Sequence, residues 1–406
     1  MEFQIDRIAM LLATAALVAI VCRRLRFPYT VGLVVAGVAL SVVPFVQTVV
    51  LTKELLFSAL LPPLIFEAAL LLHWERLRKE MRVVLSMATV GLALAAFVTA
   101  AGMHFLVGWP PISAGIFGVL IAATDPVSVI ATFKETGVTG RLRLLVEAES
   151  LFNDGVAAVL FALLLAVAEG ASPTWLGMAG QTLWVVGGGV ASGALLALAL
   201  LYVAGNTQDH LVEITLTTVA AWGSFLLAEH FDCSGVLATL TAGLVVGNRG
   251  PLGAITSKGR EAAEAFWEFV AFVANSLIFL LIGVHEAQQD FSAIWGVSLV
   301  AIALVTLGRA VVVYPFSALF SRGDLRISGA YQHIMFWGGL RGALALALAL
   351  GLPPSLPFRE QIVSVAFAVV AFSVIVQGLT MTPLLRRLGQ LPAATSAGAS
   401  KAVDEA

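Results

Sequence analysis

The chain has 406 residues, of which 59% are hydrophobic and only 12% charged, with a mean hydropathy of +0.96. A soluble domain carries about 25% charged residues, so this composition excludes a soluble globular domain and marks an all-α polytopic membrane protein. The net charge of −2 carries no information about partners, because the charge is sorted by loop, and two cysteines, Cys22 and Cys233, are too few for a disulfide framework or a cysteine metal site.

A helix needs about 20 apolar residues to cross the hydrocarbon core of a bilayer. Polar, proline and glycine punctuation divides the chain into thirteen predicted spans. The first covers 4–22, where Glu2, Asp6 and Arg7 replace the basic leader of a signal peptide and no small-residue cleavage motif precedes Arg23; it reads as an uncleaved span. Spans two and three cover 27–46 and 54–73, the third reading Leu61-Pro62-Pro63-Leu64-Ile65-Phe66-Glu67. Span four covers 83–108, and span five, 112–134, contains Ala122-Ala123-Thr124-Asp125-Pro126. Span six, 142–168, carries Glu149-Ser150-Leu151-Phe152-Asn153-Asp154 in an otherwise apolar stretch. Spans seven to ten follow at 181–204, 210–230, 233–248 and 262–286, with His230, Phe231 and Asp232 as a short break between eight and nine. Span eleven, 293–320, holds Arg309; span twelve, 328–352, reads Gly338-Gly339-Leu340-Arg341-Gly342; span thirteen covers 360–386. Residues 1–388 form one transmembrane domain, and 389–406, short and rich in Ala and Ser, read as a disordered tail.

Loop charge tests this layout independently. Taking alternate loops, one side collects eighteen of the 23 basic residues, beginning with Arg23, Arg24 and Arg26 and then Arg76, Arg78, Lys79 and Arg82. The other side holds Arg7, Lys53 and Arg359, and Arg309 and Arg341 stay inside spans. The positive-inside rule then puts the N-terminus outside and the C-terminus in the cytoplasm.

Charged side chains near a bilayer centre cost roughly 2.5–3.5 kcal/mol each on insertion scales, so the polar motifs of spans five, six, eleven and twelve call for partners or ligands. Pro126 removes a backbone donor, clashes with the carbonyl of Ala122 and pushes Asp125 out of helical geometry. An unwound turn follows at Thr124-Asp125, and the glycines around Arg341 favour a matching break in span twelve. Broken helices in corresponding positions of two halves point to a transporter's binding site. Asp125 suits converging helix N-termini, and Arg341 the C-termini. On span six, Ser150 and Asp154 share one face and Glu149 and Asn153 a neighbouring one. With Thr124 and Asp125 these offer the oxygen ligands that hard cations favour.

Blander readings stand beside these. Asn153 suits hydrogen bonding between helices, Ser150 and Thr124 suit the satisfaction of backbone groups, Glu67 fits a supporting position as well as a ligand, and Glu213 and Glu229, near span ends, read as solvated. Aromatic residues at span ends read as interface anchors, and none of His73, His104 and His285 stands out as a pH sensor.

In their order along the chain, Leu61-Pro62-Pro63 with Glu67, Thr124-Asp125-Pro126, Glu149 through Asp154, Arg309 and Gly339-Leu340-Arg341-Gly342 resemble the monovalent cation/proton antiporters of the bacterial NhaP type, related to the animal NHE exchangers. The resemblance spans essentially the whole membrane chain. It implies an NhaA-like fold of two inverted six-helix repeats with spans five and twelve broken and crossing, and a homodimer with a dimerisation part and a mobile core. It further implies that Asp154 is the essential carboxylate for cation and proton, surrounded by Asn153, Ser150, Thr124, Asp125 and Glu67, with Glu149 paired to Arg309. The asparagine before Asp154 resembles the electroneutral branch, and the short tail departs from the animal exchangers. The expected activity is exchange of Na+ or Li+ for H+ across the plasma membrane, without a cofactor, catalysis or a nucleic-acid partner, as cation and proton compete for Asp154. The alternatives are a K+/H+ antiporter on the same scaffold, a membrane-embedded hydrolase with Asp125 and Asp154 as an aspartyl pair, and a cation channel.

Overall fold

In a lipid interior a single segment can satisfy all its backbone polar groups only by coiling on itself, and the apolar segments among the described residues of this chain do so. The computed structural model describes residues 5–25, 27–42, 51–170, 174–249, 254–287, 294–323 and 325–391, and no strand occurs among them. The tail beyond residue 391 and the end of the second predicted span lie outside the described residues.

The helices are α1 (Ile5–Leu25), α2 (Tyr29–Leu40), α3 (Leu61–Leu71), α4 (Trp74–Ser86), α5 (Leu92–Gly102), α6 (Pro111–Ala122), α7 (Val127–Thr136), α8 (Arg141–Ala168) and α9 (Trp175–Ala204). They continue with α10 (His210–His230), α11 (Gly235–Arg249), α12 (Ser257–Glu286), α13 (Trp295–Leu319), α14 (Gly329–Trp337), α15 (Ala343–Leu350), α16 (Arg359–Phe372) and α17 (Gly378–Arg387). Wider turns join α4 to α5 and α16 to α17 into long rods, and seven helical stretches among the described residues are long and apolar enough to cross a membrane. A wide turn over Leu55–Leu60 also precedes α3, where Pro62 and Pro63 lack the N–H groups that would close an ordinary turn behind them.

Helix ends follow local chemistry. Thr174, Thr256 and Ser328 accept hydrogen bonds from the N–H groups of Gly177, Gly259 and Tyr331 and so start α9, α12 and α14. The short break between spans eight and nine is a turn over residues 231–234 with Asp232 at φ +54°.

Three expectations need correction. The basic run Arg76–Arg82 is not a loop but lies in α4, because the helix projects past its apolar part and carries its charges on polar turns; Glu80 there accepts from Arg141 Nε at 2.6 Å. Glu213 is not solvated: it is 1% exposed and accepts from the N–H and hydroxyl of Thr256 at 3.0 and 2.9 Å, pinning α10 to the start of α12. Trp109, at a span end, is no interface anchor; it is buried edge-on against Phe117.

The helices pack as two groups. One contains α1–α3 and α9–α12, the other α4–α8 and α13–α17, and α8 lies on the seam, touching α3, α9 and α11. In the first group Gly37 of α2 and Gly283 of α12 meet backbone to backbone; a Cβ on either would lie 2.9 Å from the other's Cα. Small residues permit this approach, and helix association in lipid depends on such contacts.

Candidate functional site

Pro126 ends α6 four residues early. Ala123 is extended (φ −57°, ψ 141°), and the chain resumes helical form only at Val127. In the second group the chain leaves α14 at Trp337 and starts α15 at Ala343. The two breaks meet: the Asp125 N–H donates to the Leu340 carbonyl at 2.7 Å. Four helix ends therefore converge, two with bare N–H groups and two with bare carbonyls.

Each end has its counter-charge. Asp125 accepts from Val127 N–H at 2.9 Å and from the N–H of Ala343, so one carboxylate serves both N-termini. Arg341 donates to the carbonyls of Ala122 and Ala123 at 3.2 and 3.3 Å, at the C-terminus of α6. The other C-terminus, that of α14, is served by Arg309, which donates to the Met335 carbonyl at 3.2 and 2.9 Å. Arg309 also holds both oxygens of Glu149, one of them at 2.9 Å, and the pair is buried. The glycines make room for these charges. A Cβ on Gly339 would lie 2.6 Å from Arg309 Nε, and a Cβ on Gly342 would overlap the Asp125 carboxylate.

Thr124 is the hub of the break. Its N–H donates to Asn153 Oδ1 at 3.2 Å, its hydroxyl accepts from Asn153 Nδ2 at 2.7 Å, and it shares a 2.9 Å hydrogen bond with the Ser150 hydroxyl. Successive turns of α8 thus clamp the unwound segment, while Glu149 on the next face reaches Arg309. In this arrangement Ser150 and Asn153 are buried and do not line the cavity described next.

Asp154 points elsewhere. It lines a cavity of about 280 Å³ between the two helix groups, together with Thr124, Asp125, Glu67 and Leu151. Among the described residues its carboxylate has no hydrogen-bond or ion-pair partner in the protein. Exposed Arg23, Lys134 and Glu268 lie at the cavity's outer part, where Lys134 Nζ is 3.4 Å from Glu268 Oε1. Beyond Asp154 along α8, Ala157, Val159, Phe161 and Leu163 are buried and apolar, and none of them lines the cavity. Asp154 is therefore the last residue of α8 to line the cavity.

The structure thus brings Thr124, Asp125, Ser150, Asn153 and Asp154 together around one break, places Glu67 across the cavity on α3, and joins Glu149 to Arg309. Sequence reading missed Glu147, Lys134, Glu268 and Asn275, which also line the cavity. For Glu147 a signal was present: it precedes Asp154 by seven residues, two helical turns on the same face. Among the described residues no cluster of three His, Cys, Asp or Glu side chains forms a metal site.

Residues 11–387 match the family described as sodium/hydrogen exchanger, transmembrane. The chain is 37% identical over 368 residues to the Na+/H+ antiporter ApNhaP of Aphanothece halophytica, covering 90% of this chain and 70% of that one. It is 34% identical over 401 residues to the Na+/H+ antiporter NhaH of Halobacillus aidingensis, covering 94% and 97%. Its fold is similar to the solved structure of the sodium proton antiporter MjNhaP1 from Methanocaldococcus jannaschii at pH 8, with a TM-score of 0.74, 19% identity, and coverage of 95% and 98%.

Proposed function

The chain belongs to the sodium/hydrogen exchanger family, a membrane-embedded, multi-pass family, and from that premise we propose that it exchanges Na+ or Li+ for H+ by competition of the two for Asp154. One observation carries the assignment. Asp125, Glu149, Arg309, Arg341, Ser150, Asn153 and Thr124 all have partners inside the protein, whereas Asp154 has none and lines a cavity. A carboxylate left uncommitted at that depth is available to a cargo ion. Asp154, Asp125 and Thr124 offer it hard oxygen ligands, Ser150 and Asn153 act by holding Thr124, and Glu67 stands on the approach.

Either cargo neutralises Asp154, so the loaded site can cross the apolar barrier and the empty, ionised one resists it. That asymmetry couples the two fluxes without a covalent step. With thirteen spans, the N-terminus external and the C-terminus cytoplasmic, the cavity mouth lies on the side of the basic loops and faces the cytoplasm. Alternating access follows from movement of the group containing α4–α8 and α13–α17 against the other. This reading includes two inverted repeats, a homodimer, a plasma-membrane location, one transmembrane domain over 1–388 and a cytoplasmic tail at 389–406. Asn153 in place of a second acid supports electroneutral exchange. The relatives are Na+/H+ antiporters by name, which disfavours the K+/H+ alternative, and the commitment of Asp125 to two helix ends argues against an aspartyl pair.

The test is exchange in proteoliposomes carrying a pH-sensitive dye. Na+ and Li+ are expected to discharge an imposed pH gradient and K+ is not, with no dependence on membrane potential. Asp154→Asn is expected to abolish exchange in a folded protein; ion-dependent proton flux in that variant refutes the assignment.

A further inference from the structure

The cavity has a charged wall that the exchange site does not use. Glu147 is 7% exposed, yet it lines the cavity with Leu151 and Asp154 on one face of α8. Seven residues of helix rise place it roughly 10 Å from Asp154 along the helix axis. The charged groups that line the outer cavity with it come from four further elements, Arg23 on α1, Glu67 on α3, Lys134 on α7 and Glu268 on α12, while Arg143 lies on its own helix. Arg143 Nε stands 3.6 Å from Glu147 Oε2, is about a quarter exposed and does not line the cavity. Its charge is screened by water, whereas that of Glu147 projects into a narrow space with low-dielectric walls, where fields are focused.

We propose that Glu147 sets the apparent cation affinity of the Asp154 site through the electrostatic potential of the inner cavity, with Lys134 as an opposing positive charge. Glu147 acts as a positioning residue at a distance, concentrating cations ahead of the exchange carboxylate. Lys134 works in the opposite sense. Its side chain lines the outer part of the same cavity, with the ammonium 3.4 Å from Glu268 Oε1. The inference rests on the exchange reading above.

The experiment measures Na+-driven exchange in proteoliposomes at several Na+ concentrations for wild type, Glu147→Gln, Glu147→Asp and Lys134→Gln. Glu147→Gln is expected to raise the apparent KM for Na+ two- to tenfold, roughly the effect of one unit charge at that distance in a partly hydrated cavity, with the maximal rate within about twofold. Glu147→Asp keeps the wild-type KM, and Lys134→Gln lowers it. The opposite signs separate an electrostatic role from structural damage, which lowers the maximal rate in both variants. An unchanged KM in Glu147→Gln, or a shift of Lys134→Gln in the same direction, overturns the proposal. Should Glu147→Gln not fold, an unchanged or raised KM in Lys134→Gln overturns it equally. A wild type that exchanges normally beside such variants leaves the exchange reading standing; a wild type without Na+/H+ exchange removes both.

Discussion

The buried pair between Glu149 and Arg309 allows a quantitative test of how the core is held. Its side chains are 2% and 9% exposed, and the guanidinium is divided between both oxygens of Glu149 and the Met335 carbonyl at the end of α14. Removing one member of a buried pair costs about 3–5 kcal/mol, because the other charge is left uncompensated. Glu149→Leu should therefore destabilise by that amount, with only one carbonyl left to the guanidinium. Arg309→Met carries the same penalty for Glu149, and a further cost of roughly 1–3 kcal/mol for the unmet Met335 carbonyl. The double variant removes both charges and retains only the second cost. A double-mutant cycle on detergent-purified protein, read by chemical unfolding under reversible conditions, should thus give a coupling of several kcal/mol. Additivity of the two single changes to within about 0.5 kcal/mol refutes the assignment of this pair as a structural clamp.

Two further predictions address the break. Thr124→Val keeps shape but removes the hydroxyl that Asn153 and Ser150 both reach, leaving buried groups unpaired at about 1–3 kcal/mol each; exchange should fall sharply and Thr124→Ser should restore most of it, as proteoliposome assays can show. Gly342→Ala drives a Cβ into the Asp125 carboxylate, which must then leave the N-terminus of α7, so loss of exchange and a lower melting temperature are expected. The control is Gly180→Ala in α9: nothing lies within 4 Å of the added methyl, and helix propensity predicts a change between neutral and about 1 kcal/mol stabilising.

Much of this was legible because a bilayer leaves so few choices. Apolar length marked the helices, and Pro126 and the glycines around Arg341 marked the two interruptions, since each removes a donor or a Cβ that a regular helix needs. Charge at depth marked Asp154, Glu149 and Arg309. Ends of elements were less legible. Span seven was placed from 181, but α9 starts at Trp175, where Thr174 supplies a cap in a stretch of weak apolar signal. Glu213 read as solvated because its partner, Thr256, lies 43 residues away, and no local pattern announces that bond.

By itself the sequence determined that the chain is helical and membrane-embedded, and which few side chains are too costly at depth to be incidental. Its motifs also named the family, which residues 11–387 match. The tertiary structure decided how those side chains divide. It committed Asp125 to two N-termini, Arg341 and Arg309 to one C-terminus each, and Ser150 and Asn153 to Thr124. Asp154 was left facing the cavity, and Glu147 and Lys134 were added to its walls. The physical reason is that the cost of burying a polar group depends on its own chemistry, which sequence carries, whereas the partner that meets the cost comes from another helix. Only the packing of α6, α8, α13 and α14 beside one another supplies that partner.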